Sequence, residues 1–297
     1  MNVKKALGAS LIGTMLLNPV GTAAKKRTNH TASPDGHLMR GGKIPVSVYN
    51  EFLVVVKGQI GGIEQQQNFV VDTGTAPSIL NLRLARKMGL VVTGGTLVAV
   101  GRAVNTGQAV LPELDLGPIH ASDLPVNVMD LSWWEKGLGV EVAGLVGMDV
   151  LGRTSFRLDY EKKELQFGTA GDKGMAVGYD RFSGLALADA RLQGRAVRLI
   201  VDTGSDLVVV YGDNWEPMGS VRQASRSPEG TSVAEQVAAR KIEKAEMELG
   251  GKQFRGMRTY CVPSARAMGY DGFVGVRALK LRGIAFDCER QILYLLN

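Results

Sequence analysis

Apolar and polar residues alternate with a period of two along much of the chain, the pattern of half-buried β-strands. Phe156–Phe167 (FRLDYEKKELQF) and Ile284–Leu296 (IAFDCERQILYLL) each place a polar tip between two apolar stretches, as hairpins do. Leu124, Val126 and Val128 alternate in ASDLPVNVMDL. Two apolar runs behave differently. Phe69-Val70-Val71 stops at Asp72 and resumes at Ile79-Leu80, and Leu199-Ile200-Val201 stops at Asp202 and resumes at Leu207–Val210. An Asp-Thr-Gly triplet can close a strand as an ordinary turn, so one copy alone decides nothing.

Few helices are expected. Leu82–Met88 has good helix formers and a natural stop at Gly89. Ser232–Leu249 opens with a Ser-x-x-Glu capping box, and local propensity favours a helix. Its place in the repeat described below calls instead for strand over Ala245–Leu249, with an inserted helical turn before it.

The composition agrees with an all-β protein. The 297 residues are 45% apolar and 22% charged, enough to bury a core, and 38 glycines suit many tight turns between short elements. The N-terminus stands apart. MNVKK is a basic start, ALGASLIGTMLLNPV is apolar but too short to span a membrane, and GTAA supplies small residues for cleavage. Residues 1–24 read as a secretory signal, with an uncleaved anchor as the rival, and residues 25–42 as a polar arm. Loss of Lys4 and Lys5 with the signal lowers the net charge from +6 to +4. No run of five basic residues exists, so nucleic acid is not an expected partner, and no membrane span remains after signal removal. Cys261 and Cys288 are the only cysteines. In an oxidising compartment they would form one disulfide; two buried thiols are the alternative. His37 and His120 lack ligand-type neighbours at useful spacing and His30 sits in the polar arm, so neither a metal nor another cofactor is expected.

Self-similarity settles the meaning of the triplets. Asp72-Thr73-Gly74-Thr75 recurs as Asp202-Thr203-Gly204-Ser205, each after an apolar strand. Further on, AGLVGMDVLGRTSFRLDYEKKELQFG aligns without gaps on DGFVGVRALKLRGIAFDCERQILYLL, so that Gly147 meets Gly275 and Asp159 meets Asp287. The aspartate-to-glycine spacing is 75 residues in one copy and 73 in the other. The chain therefore divides into two equivalent halves, 43–170 and 171–297.

These residues resemble the aspartic proteases of the pepsin and retroviral-protease superfamily. The match rests on the two triplets and on the apolar-apolar-glycine elements Leu145-Val146-Gly147 and Phe273-Val274-Gly275, and it extends over about Lys43 to Asn297. Each half resembles a single retroviral-type unit, which implies a bilobal all-β fold with two small β-barrel lobes, a monomer with an internal pseudo-twofold axis, and a polypeptide substrate. The resemblance implies Asp72 and Asp202 as the catalytic pair. Two adjacent carboxylates cannot both ionise, so one proton is shared, and the pair can activate a water and protonate a carbonyl. Thr73 and Thr203 would then lock the two loops together. Gly74 and Gly204 would allow the turn under each carboxylate, Thr75 and Ser205 would lend hydroxyls, and Gly147 and Gly275 would close the loops. The flap falls at Thr96–Ala109, with Gly101 and Gly107 as hinges, and its counterpart at Val221–Arg240.

The sequence also departs from the family. Gly147-Met148-Asp149 keeps an acidic residue that Gly275-Val276-Arg277 lacks, and the first loop continues with Thr75-Ala76-Pro77-Ser78. A catalytically silent member that binds peptide or envelope material thus stays open, as does pairing of each half with its twin in another molecule. Trp133-Trp134 in DLSWWEKGLG reads as a loop pair, packed inside or rimming a cleft.

Overall fold

The structure, a computed structural model, describes residues 15–16, 41–99, 102–171, 173–212, 239–263 and 269–297. Among these residues the chain is almost entirely β, arranged as a ten-stranded, a six-stranded and a nine-stranded sheet. In the ten-stranded sheet, Gln67–Val71 lies parallel to Gly144–Val146, which pairs on its other side, antiparallel, with Ile79–Asn81. The Asp72 loop thus leaves and re-enters the sheet on either side of one strand. The nine-stranded sheet repeats the arrangement: Arg195–Asp202 runs parallel to Gly272–Gly275, whose other neighbour is Val208–Tyr211. Parallel strands covered on both faces favour continuous β-branched runs, and Val70, Val71, Val201 and Val208–Val210 are all essentially inaccessible.

The six-stranded sheet joins the halves. Phe156–Asp159 pairs antiparallel with Gly283–Asp287, matching Phe156 with Phe286 and Leu158 with Ile284. By the repeat, Ile284 is the counterpart of Phe156 and Phe286 that of Leu158, so the pairing is self-complementary about a pseudo-twofold axis at Arg157 and Ala285. Phe156 and Phe286 stack with ring centroids 4.6 Å apart. The hairpins read at Phe156–Phe167 and Ile284–Leu296 are the elements that pair here.

Thr93–Ala99 and Arg102–Leu116 form the long antiparallel hairpin expected of the flap. Gly101 lies outside the described residues, and Gly107 is not a hinge. It sits within a strand, and a Cβ there would come within 2.4 Å of Val92 Cγ1. Met15–Leu16 forms a two-residue strand between the flap and the first loop, parallel to Thr75–Ala76 and antiparallel to Val98–Ala99. The rest of the leader and residues 25–40 lie outside the described residues, as does 221–238 of the second flap. Glu246–Leu249 is a strand, as the repeat required against local helix propensity. The helical turn expected before it falls on undescribed residues up to 238, and Arg240–Ile242 is already strand.

Leu82–Lys87 is helical, capped by Asn81 and stopped at Gly89 with φ +68°. The tryptophan pair is not in a loop: Ser132–Leu138 is a helix, and Trp134 is buried among Leu131, Leu138, Val142 and Leu145. Among the described residues no helix is long and apolar enough to cross a membrane.

Candidate active site

Each aspartate follows a strand whose last residues pair with the apolar-apolar-glycine element. Asp72 N donates to Val146 O at 3.0 Å, and Asp202 is in register with Gly275. The turn beneath each carboxylate aims a backbone N–H at it. Gly74 N lies 2.8 Å from Asp72 Oδ1, and Gly204 N lies 2.7 Å from Asp202 Oδ1.

The loops then grip each other across the pseudo-twofold. Thr73 N donates to Thr203 Oγ1 and Thr203 N to Thr73 Oγ1, both at 3.0 Å. The hydroxyls pass their own protons onward, Thr73 Oγ1 to Val201 O at 2.8 Å and Thr203 Oγ1 to Val71 O at 3.0 Å. Each hydroxyl is both donor and acceptor, and both residues are fully buried. Valine has the same shape but would leave a buried N–H and a buried carbonyl unpaired at each position.

Close approach explains the glycines. A Cβ on Gly204 would stand 2.9 Å from Asp72 Cγ, so the backbone of the second loop lies directly against the first carboxyl. A Cβ on Gly147 would meet Thr75 O at 2.3 Å, and one on Gly275 would meet Ser205 O at 2.4 Å. Ser205 Oγ accepts from Leu207 N at 3.1 Å and closes its own loop.

The aspartates have no exposed surface. Burial raises Asp72 from the ordinary carboxylate range to about 7, against the opposing pull of hydrogen bonds from Asp202, the Gly74 N–H and the Thr75 hydroxyl. The loops that carry Asp72 and Asp202 thus meet across the pseudo-twofold axis with both carboxyls buried.

One part of the first loop escaped the sequence reading. Ser78 donates from both N and Oγ to Asp149 Oδ1, at 3.0 and 2.8 Å, and its Oγ accepts from Gly147 N at 3.0 Å. The acidic residue after Gly147 therefore braces the far side of the Asp72 loop. Burial raises Asp149 as well.

Two expectations need correction. Cys261 and Cys288 are both buried and are not bonded to each other. Cys261 lies in the nine-stranded sheet with Sγ against Gly212 O, and Cys288 lies in the tip of the last hairpin, its N bonded to Ser155 Oγ, so the two belong to separate sheets. His120 does have ligand-type neighbours. Strand pairing sets it opposite Asp115, with Nδ1 2.7 Å from Asp115 Oδ1 and 3.8 Å from Glu113 Oε1. The hydrogen bond to Asp115 raises this exposed imidazole. No residue of this cluster belongs to the aspartate loops.

A family model described as aspartyl protease matches residues 56–150, the stretch that carries the first loop, the flap and Gly147. No curated protein matches the chain. Among solved structures, the aspartic proteinase from Irpex lacteus aligns with a TM-score of 0.51 at 13% identity, covering 87% of this chain and 97% of that one. The likeness at that identity is one of fold, an all-β bilobal architecture. Residues 56–150 are thus similar to the aspartyl protease family, and the chain as a whole shares the fold of an aspartic proteinase, with an Asp-Thr-Gly loop in each half.

Proposed function

We infer that the protein is an exported aspartic endopeptidase that cuts peptide bonds with a water activated between Asp72 and Asp202. The observation that carries this reading is the buried pair of carboxyls, each on its own glycine N–H and tied together by Thr73 and Thr203. An electrostatically prepared, dry pair of this kind has no structural use that an asparagine would not serve better.

In this mechanism one carboxyl of the pair begins protonated, written here as Asp72, whose burial favours the neutral form, and the other, Asp202, begins as the base. The water oxygen bonds to the scissile carbonyl carbon, its proton goes to Asp202, and the Asp72 proton goes to the carbonyl oxygen. The resulting diol collapses. Asp202 gives its proton to the amide nitrogen as the C–N bond breaks, and Asp72 recovers a proton from a diol hydroxyl. The glycine N–H groups hold the inner carboxylate oxygens through both steps, so little rearrangement accompanies charge movement. The strand position of Met15–Leu16 supports an extended peptide as substrate, since backbone laid between the first loop and the flap pairs with both.

Purified mature protein should cleave members of a mixed peptide library in a pepstatin-sensitive way, and Asp72→Asn should abolish it. Cleavage that survives the substitution removes the dyad assignment. A wild type silent from about pH 3 to about pH 7 leaves the binding-module reading in its place. Light scattering on the active species decides between an internal site and a dimer, and export is read from loss of the leader in the secreted fraction.

A further inference from the structure

The halves depart from their symmetry at one position beside the site. After the loop-closing glycine, the first half has Asp149 and the second has Arg277. Asp149 stays within its own half, bonded to Ser78. Arg277 does not. Its Nε donates to Glu51 O at 3.0 Å, in the turn joining Ser47–Tyr49 to Leu53–Ile60 in the first half. Its Nη1 donates to Leu281 O at 2.5 Å in the second half. Its guanidinium carbon stands 5.0 Å from the centre of the Tyr160 ring, which follows a strand of the six-stranded sheet. One planar cation thus bonds to a turn of the ten-stranded sheet and to residues flanking the six-stranded sheet, from a helical turn that follows the nine-stranded one.

The partner in the first half is built for this contact. Asn50 and Glu51 have φ of 50° and 68°, a left-handed pair that turns the hairpin tightly and presents the Glu51 carbonyl. Side chains other than glycine occupy such backbone only when their surroundings hold them there. Arg277 in turn lies two residues beyond Gly275, whose backbone is packed against Ser205 O and whose N donates to Leu207 O at 2.7 Å. The path from the first-half turn to the Asp202 loop therefore runs through one side chain and a helical turn, Val276–Leu279, seated on that glycine.

We propose that Arg277 is a positioning residue that sets the register of the two halves and so holds the Asp202 loop against the Asp72 loop. The threonine grip ties the loops at the axis, and Arg277 ties the halves away from it, where a rocking motion has the longer lever arm. Lysine is a poor substitute, because a point charge cannot direct two N–H groups at carbonyls while stacking flat on a ring. The proposal rests on the peptidase reading for its kinetic consequences but not for its geometry.

The test uses the mature wild type, Arg277→Ala, Arg277→Lys and Tyr160→Leu. In Arg277→Ala, kcat should fall about ten- to a hundredfold with KM little changed, as a small misplacement of reacting groups produces. A loosened, wetter dyad should also lose its alkaline limb toward lower pH, since desolvation is what raises Asp72. Tyr160 and Tyr211 also face Asp202, and both are raised by burial and stay neutral throughout this range. Arg277→Lys should recover only part of the loss. Wild-type kcat and an unmoved alkaline limb in Arg277→Ala overturn the proposal. If that variant does not fold, Tyr160→Leu should show the same shift to a smaller degree, and an unshifted profile there overturns it equally. Should the wild type cleave no peptide, the peptidase reading fails separately. Carboxyl-carbon NMR titration of labelled aspartates then compares the dyad in wild type and variant, and identical titrations refute the positioning role.

Discussion

Replacing Asp72 by asparagine should make the protein inactive but more stable above neutral pH, and the gain should grow with pH as the buried pair loses its proton. In the folded state burial raises its pKa to about 7, from the 3.8 of an exposed aspartate. A group whose folded pKa is raised contributes its full stability below the unfolded value and loses it as pH rises through the folded one. Below about pH 4 Asp72 is protonated in both states and asparagine replaces it at little cost. Above about pH 7 the folded protein must hold a second buried charge beside Asp202, and raising a carboxyl from 3.8 to about 7 corresponds to roughly 4 kcal/mol. Denaturant unfolding of both proteins at about pH 4 and about pH 8 measures the effect, and comparing the two cancels every titrating group outside the Asp72–Asp202 pair. Asp72→Asn should gain about 3–4 kcal/mol relative to wild type between these conditions. A difference that stays constant with pH would refute the claim that burial raises Asp72 and, with it, the assignment of the shared proton.

Other outcomes follow from the same geometry. Peptide cleavage should have an alkaline limb near pH 7, higher than an exposed carboxylate pair would give, and initial rates across a buffer series check it. Thr203→Val should cost about 2–4 kcal/mol in denaturant unfolding, because it strands the Thr73 N–H and the Val71 carbonyl in a dry interior. Gly204→Ala should remove activity with a modest loss of stability, since its Cβ meets the Asp72 carboxyl itself, whereas Gly147→Ala should lower the melting temperature sharply by forcing Thr75 O out of place.

How much of this was legible in the sequence depends on whether the information is periodic or spatial. The aspartate loops, their closing glycines and both terminal hairpins are short patterns written twice, and the repeat corroborated each. It also overruled local propensity correctly at Glu246–Leu249, where the capping box pointed to a helix. The Ser132–Leu138 helix was missed although its signals are present. Asp130 accepts from Ser132 N at 2.9 Å, and Gly139 ends the helix with φ 72°. Two adjacent tryptophans and two glycines hid a seven-residue helix inside what read as a loop.

What the sequence withheld was pairing between distant strands. Ser78 and Asp149 are 71 residues apart, and nothing in either stretch names the other. His120 gains Asp115 only because a hairpin folds the two into register, and the two cysteines are kept apart because the repeat places them in different sheets. Arg277 is the most instructive case. In the alignment it is merely a lost acid, a departure that counts against the family pattern. In space, a carboxylate at that position would face the Glu51 carbonyl without a proton to offer, whereas the guanidinium donates to it. A duplicated chain needs such a break in symmetry. Two identical halves pair equally well with each other or with a second molecule, whereas a contact that only the second half can make to the first favours the internal arrangement once the linker holds both at high local concentration.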